Sequence, residues 1–141
     1  MGRCGPTRAW SPRGVDRFHE LLRRGYFDEG RFFRVLPGFI AQFGVHRDFE
    51  THRIWRDLFI ADDPRTHSNT RGTLTFAQSE QHTRATEIFI NLADNAALDE
   101  QNFVPFARVV EGMDVVDRLY SGYGEMRPDA GVVAAGGGPL S

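Results

Sequence analysis

The chain has 141 residues, of which 40% are hydrophobic and 26% charged, and its formal net charge at pH 7 is −2. This length and composition are typical of one soluble globular domain, so we predict a single domain over residues 1–141 with a weakly structured, Gly-rich tail at 126–141. The nearly balanced charge and the lack of a basic cluster argue against a nucleic-acid partner. No apolar run approaches the roughly 18 residues that cross a membrane.

Metal and cofactor chemistry find little support in the sequence. Cys4 is the only cysteine, which excludes an intramolecular disulfide and a thiolate metal cluster. The histidines show no metal-ligand spacing, and the Gly-rich tail holds no phosphate-binding pattern. The N-terminal residues lack the apolar core of a signal peptide. We therefore predict a cytoplasmic monomer without metal or cofactor, unless a leader precedes Met1.

The first predicted element is a helix over residues 12–24. Ser11 is a suitable N-cap, Pro12 suits the first helical position, and Gly25 can end the helix. Apolar residues between these limits recur at helical spacing, which predicts one face packed against a core.

A β-hairpin is predicted next, with strands at 31–36 and 40–44 around a Pro-Gly turn at 37–38. Strict alternation along the first strand places Phe32 and Arg34 on the same face.

The connection over residues 45–72 is predicted to be mostly loop, with Asp62 and Asp63 in a solvated turn before Pro64. The remaining predicted elements are strands at 73–77, 87–92 and 106–110, a helix at 113–120 and an optional short strand at 132–135. Several short strands with one early and one late helix predict a β-barrel covered by helices.

Three segments carry a more specific pattern: FFRVLPGFIAQFG (32–44), RGTLTFAQSEQHTRATEIFINLADN (71–95) and ALDEQNFVPFARVVEGMDVVD (97–117). With WSPRGVDRF (10–18) and GYFDEGRFFRV (25–35), they resemble the cyclophilin family of peptidyl-prolyl cis-trans isomerases over about residues 9–125. The resemblance implies a mainly β fold, an eight-stranded antiparallel barrel capped by two helices. It also implies isomerisation of X-Pro bonds, which assists folding of proline-containing peptides and of unfolded or partly folded proteins, without a cofactor.

The resemblance also implies roles for ten residues. Arg34 matches the catalytic arginine, and Gln42 matches the glutamine beside it. Ala77 and Gln78 match positions whose backbone groups hold the substrate chain, and Glu87 matches a position next to the arginine. The positions implied for the pocket of the substrate proline are Phe39, Ile40, Phe89 and Leu98, with Phe103 where many members have a histidine or an aromatic residue.

An arginine suits this reaction on elementary grounds. Amide resonance sets a barrier of about 18–20 kcal/mol to rotation of a peptide bond. Because the prolyl nitrogen becomes more basic as resonance is lost, a donor aimed at that nitrogen stabilises the twisted state over both planar states. The guanidinium of Arg34 stays charged, presents fixed N–H donors and gains field strength beside an apolar wall.

Departures from the family pattern bear on activity. Glu87 stands where the family has Gln, and its carboxylate can pair with Arg34 or, if well buried, take up a proton. We predict that activity survives but is reduced. Ala97 stands where cyclosporin-sensitive members have Trp, so we predict weak cyclosporin binding, and residues 79–82 replace a Gly-Pro-Asn stretch at the edge of the groove.

The N-terminus departs as well. Family members have two strands before the first helix, whereas few residues precede Pro12 here. We therefore expect at least one barrel strand to be missing, which leaves open edges on its neighbours. Two functions remain open at this point: an isomerase, and a cyclophilin-like scaffold that holds proline-containing peptides with weak or no turnover.

Overall fold

In the computed structural model of the chain, residues 3–28 and 31–117 are described. The elements of this part, in chain order, are β1 (Arg3–Pro6), α1 (Pro12–Arg23), β2 (Arg31–Leu36), β3 (Ile40–Val45), α2 (Phe49–Trp55), β4 (Thr73–Phe76), β5 (Ile88–Asn91), α3 (Ala96–Glu100), β6 (Pro105–Glu111) and α4 (Met113–Asp117). None of these helices has the length and apolar character needed to cross a bilayer. The predictions for residues 118–120, 126–141 and 132–135 lie outside the described residues.

All strands belong to one antiparallel sheet with the order β1-β6-β4-β5-β3-β2. The predicted mainly β, antiparallel fold is therefore confirmed. Within the described residues the sheet has six strands rather than eight, and it is not closed, because β1 and β2 form its two edges. Strand β1, which pairs with β6, was not predicted: its four residues, RCGP, carry no alternating apolar pattern.

The helices are more numerous than the two that were predicted. Helix α2 lies in the region 45–72 that was predicted to be mostly loop, and its N-terminus is capped by Asp48, which accepts a hydrogen bond from the Thr51 N–H at 3.0 Å. Helix α3 is only five residues long. Both helices are too short to show a helical period in the sequence.

The prediction that Phe32 and Arg34 lie on the same face of β2 is wrong. Phe32 pairs with Phe43 and Arg34 pairs with Gln42, so the register shifts between Phe32 and Arg34 as in a β-bulge. The extra residue turns Phe32 into the core, where it is fully buried, and leaves Arg34 exposed on the other side of the sheet.

Helix α1 packs against the sheet through aromatic rings. Phe18 is fully buried, and its ring centroid lies 5.1 Å from that of Phe106, which in turn lies 4.8 Å from that of Phe76. These tilted contacts are favourable aromatic geometries and form the centre of the main core.

The N-terminus of α1 is capped from a distant loop. The Ser11 hydroxyl makes no capping bond of its own but donates to Asp63 Oδ2 at 2.5 Å, and the Gly14 N–H donates to the same oxygen at 3.1 Å. The guanidinium of Arg84 lies 3.2 Å from this oxygen, and both side chains are fully buried. The prediction of a solvated turn is therefore wrong for Asp63. Its carboxylate accepts hydrogen bonds from the N-terminus of α1 and forms an ion pair with a buried arginine.

Candidate active site

A second apolar cluster lies apart from the main core and forms the floor of a cleft. Its members are Ile40, Phe89 and Leu98, which are buried, and Leu36, Phe39, Ala77 and Phe103, which pack against them. The rings of Phe89 and Phe103 meet edge to face at 5.7 Å. Six of the seven members are residues for which the sequence predicted a role in the site, and Leu36 is the one that it missed.

The hairpin turn positions Phe39. Gly38 has a φ of +73° and follows Pro37, which is the pattern of a type II turn, and the Phe39 N–H closes the turn on the Leu36 carbonyl at 2.9 Å. The Phe39 carbonyl accepts hydrogen bonds from the Leu92 N–H at 2.8 Å and from Asn95 Nδ2 at 3.0 Å. The turn is thereby fixed to the segment after β5.

A polar network positions Phe103 at the other end of the cluster. The Phe103 carbonyl accepts from Asn69 Nδ2 at 2.9 Å, and Asn69 also donates to Asp99 of α3. Burial alone would raise the pKa of Asp99, but hydrogen bonds from Ser68 and Asn69 lower it. Roles for Asn69 and Asp99 were not predicted from the sequence, because their partners lie about 30 residues away.

The cluster opens into a cleft of about 620 Å³. All ten residues with predicted site roles line it: Arg34, Phe39, Ile40, Gln42, Ala77, Gln78, Glu87, Phe89, Leu98 and Phe103. One chain thus brings together an apolar floor and a polar rim, although these residues are spread over about 70 positions of the sequence.

The polar rim contains an amide, a carboxylate and a guanidinium. Gln42 is buried and donates from Nε2 to Glu87 Oε1 at 3.1 Å. Arg34 is the cross-strand neighbour of Gln42, and its guanidinium forms neither a hydrogen bond nor an ion pair within the described residues. Of the two alternatives considered for Glu87, the pair with Arg34 is not formed in this arrangement, and the carboxylate contacts Gln42 instead.

A close approach of two backbones places Glu87 on the rim. Gly44 has a φ of +109°, and a Cβ atom at this position would lie 2.2 Å from the Thr86 carbonyl oxygen. Only glycine fits here without displacing backbone. The Gly44 carbonyl in turn accepts from the hydroxyls of Tyr26 and Thr86, each at 2.9 Å.

Comparison with known proteins identifies the architecture. The model of the family "cyclophilin type peptidyl-prolyl cis-trans isomerase/CLD" matches residues 8–134. The chain belongs to this family. This membership confirms the resemblance to cyclophilins and the predicted isomerase function.

Curated relatives named as peptidyl-prolyl cis-trans isomerases agree with the assignment. Peptidyl-prolyl cis-trans isomerase B of Escherichia coli is 31% identical over 117 residues, covering 77% of this chain and 71% of the relative. An isomerase of Arabidopsis thaliana is 35% identical, covering 79% of this chain and 69% of the relative. Isomerase A of Dickeya dadantii is 31% identical over 77% of this chain, which spans only 60% of that relative's length.

The fold also matches a solved cyclophilin. A crystal structure of a cyclophilin type peptidyl-prolyl cis-trans isomerase from Cryptosporidium parvum superposes with a TM-score of 0.70 at 20% identity, covering 82% of this chain and 76% of that one. At this identity the likeness concerns the fold alone.

One wall of this cyclophilin cleft was missed in the sequence. It consists of residues from α2 and its following loop, namely His52, Arg56, Asp57 and Phe59, and of the segment before β5, namely Thr83, Ala85 and Thr86. For the residues of α2 and its following loop, the only signal was the long connection 45–72, since long loops inside compact domains are often functional.

Proposed function

We propose that this chain isomerises X-Pro bonds in the cleft, with the proline ring on the apolar cluster and the Arg34 guanidinium directed at the prolyl nitrogen. The observation that carries the proposal is the pairing of a preformed apolar floor with an exposed cation on the same cleft. The structure of the Cryptosporidium relative was determined in the presence of the dipeptide ala-pro, which supports a proline-containing ligand for this fold.

The reaction requires no bond to be made or broken. The apolar floor holds the proline ring, so that the preceding residue can rotate about the imide bond. As the prolyl nitrogen loses conjugation it becomes a better acceptor, and Arg34 donates to it more strongly than in either planar state. Each 1.4 kcal/mol of such preference gives about a tenfold rate increase.

Backbone groups at the edge of the cleft complete the proposed peptide site. The Ala77 N–H donates to the Glu87 carbonyl at 2.8 Å and is therefore already used by the protein. We assign the contact with the substrate backbone to the Ala77 carbonyl and to the Gln78 backbone. A cytoplasmic location and a monomeric state stay predictions.

The test measures cis-trans exchange of a short X-Pro peptide by NMR. Arg34→Ala should lower kcat/KM by roughly a hundredfold or more, since a single preorganised donor is worth that much in other enzymes. Arg53→Ala is the matched control, because Arg53 is an exposed arginine of α2 that pairs only with Glu50 among the described residues. Rates for Arg34→Ala within about twofold of wild type, at unchanged melting temperature, would refute the role of Arg34.

A scaffold that binds proline-containing peptides but turns them over slowly is the second candidate. It is favoured by the Glu87 carboxylate on the rim, which departs from the family pattern. Peptide binding without exchange above the uncatalysed rate would support it over the isomerase.

A further inference from the structure

Exposed apolar side chains are concentrated beside the cleft. Of the five large hydrophobic residues that are exposed in the described part of the chain, four lie within residues 49–59: Phe49, Ile54, Leu58 and Phe59. None of the residues of α2 is buried. A helix on a globular domain usually buries its apolar side chains, whereas Phe49 is 65% exposed. Exposed apolar patches of this kind often mark binding surfaces.

One face of α2 continues the cleft. His52 and Arg56 line the cleft, as does Phe59 just after the helix. Phe49 precedes His52 by three residues and Arg56 by seven, a spacing that puts all three on the same side of a helix. We call Phe49, His52, Arg56 and Phe59 the α2 ledge. Ile54, five residues after Phe49, points about 140° away from it around the helix.

The α2 ledge is held in place without burying Phe49. Trp55 projects toward α1 and is covered by two guanidinium groups, those of Arg17 at 5.4 Å and Arg24 at 5.7 Å from its ring centroid. Arg17 also donates to the carbonyls of Leu58 at 2.7 Å and Ala85 at 3.0 Å. One side chain therefore joins the loop after α2 to the segment before β5.

We propose that the α2 ledge binds apolar side chains of the substrate chain on one side of the X-Pro bond. This inference rests on the proposed function of the cleft, with which the ledge is continuous. From Arg56 to Phe49 the helix rises about 10 Å, a length covered by about three residues of extended peptide. The ledge would therefore select unfolded segments with an apolar residue within about three positions of the residues held in the cleft.

The test compares peptides of different length. A short X-Pro peptide is extended by four residues, before or after the proline, with either Phe and Leu or Ser and Gly in the extension. For wild type, the apolar extension on one side should raise kcat/KM by roughly five- to tenfold over the polar extension. Phe49→Ser should remove most of this gain, whereas the matched control Ile54→Ser, 60% exposed on another face of the same helix, should retain it.

The outcomes separate the ledge from the cleft. Equal gains for Phe49→Ser and Ile54→Ser, or no gain in wild type, would overturn the role of the ledge even if the short peptide is isomerised. If no peptide is isomerised, fluorescence anisotropy of the labelled long peptides still measures the ledge: tighter apolar binding that Phe49→Ser alone weakens supports it, and equal binding refutes it. A concentration-dependent dimer that Phe49→Ser abolishes would assign the surface to a second copy and refute the proposal.

Discussion

Removing the Asp63 carboxylate tests how the N-terminus of α1 and the buried Arg84 are stabilised. In Asp63→Ala the buried guanidinium of Arg84 loses its nearer counterion and keeps only Asp62 at 3.9 Å, and the N-terminus of α1 loses its cap. Breaking a buried ion pair from one side costs about 3–5 kcal/mol, and loss of a cap costs about 1 kcal/mol. Because the same carboxylate serves both, we expect about 3–5 kcal/mol in total, a large part of a typical domain stability of about 5–15 kcal/mol.

The measurement is urea unfolding followed by circular dichroism. Asp16→Ala is the matched control, since Asp16 pairs with Arg8 at 2.8 Å but both side chains are mostly exposed, and it should leave the free energy of unfolding nearly unchanged. The double variant Asp63→Ala/Arg84→Met removes both charges and should recover part of the loss. Equal effects of Asp63→Ala and Asp16→Ala would contradict the reasoning, as would a double variant less stable than Asp63→Ala.

The dependence of folding stability on acid pH tests the same carboxylate independently. Burial alone would raise the pKa of Asp63, but hydrogen bonds from Ser11 and Gly14 and the charge of Arg84 outweigh it and lower the pKa. Because the folded-state pKa lies below the unfolded one, the stabilisation is present above about pH 4 and is lost as the pH falls through the folded-state value. Asp63→Asn should therefore flatten the decrease of stability below about pH 4. An unchanged acid limb would contradict the assigned pKa direction.

Two further predictions concern the cleft. Glu87→Gln should raise kcat/KM on a short X-Pro peptide by roughly three- to tenfold, because it removes a negative charge whose field acts on Arg34. An unchanged or lower rate in the exchange assay would contradict this. Cyclosporin should bind weakly, since Ala97, which is exposed on α3, offers neither the apolar wall nor the N–H of a tryptophan. Ala97→Trp should strengthen the binding. Tight binding of cyclosporin to wild type in a calorimetric titration would refute the prediction.

The cleft residues could be predicted because their signals are local. Pro37-Gly38 marks the turn, and the strands on either side of it carry Arg34 and Gln42 at positions that the family motif defines. Phe89 lies in the neighbouring strand, paired with Gln42, so one continuous register sets the relative places of these side chains. The bulge before Arg34 was not predictable, since an extra residue in one strand shows only against its partner.

The supports of the cleft depend on distant partners, which a single sequence does not display. Asp63 lies 52 positions from Ser11 and 21 from Arg84, and its neighbours Asp62 and Pro64 are typical of a solvated turn. A carboxylate is rarely buried unless it is paired, and the pairing appears only in three dimensions. The same holds for Arg17, which reads as an ordinary polar residue on the outer face of a helix.

The hydrogen bond between Gln42 and Glu87 determines how the glutamate at position 87, where the family has Gln, affects Arg34. A carboxylate that bound Arg34 directly would hold the guanidinium away from the substrate. In the structure, Glu87 Oε1 instead accepts a hydrogen bond from the side-chain amide of Gln42. An amide donor satisfies the hydrogen bond but does not neutralise the charge, so the negative field on Arg34 persists. A glutamine at position 87 can still accept from Gln42 through its own carbonyl oxygen. Glu87→Gln therefore removes the charge and preserves the hydrogen bond. The difference in isomerisation rate between this variant and wild type then measures the electrostatic effect of Glu87 on Arg34.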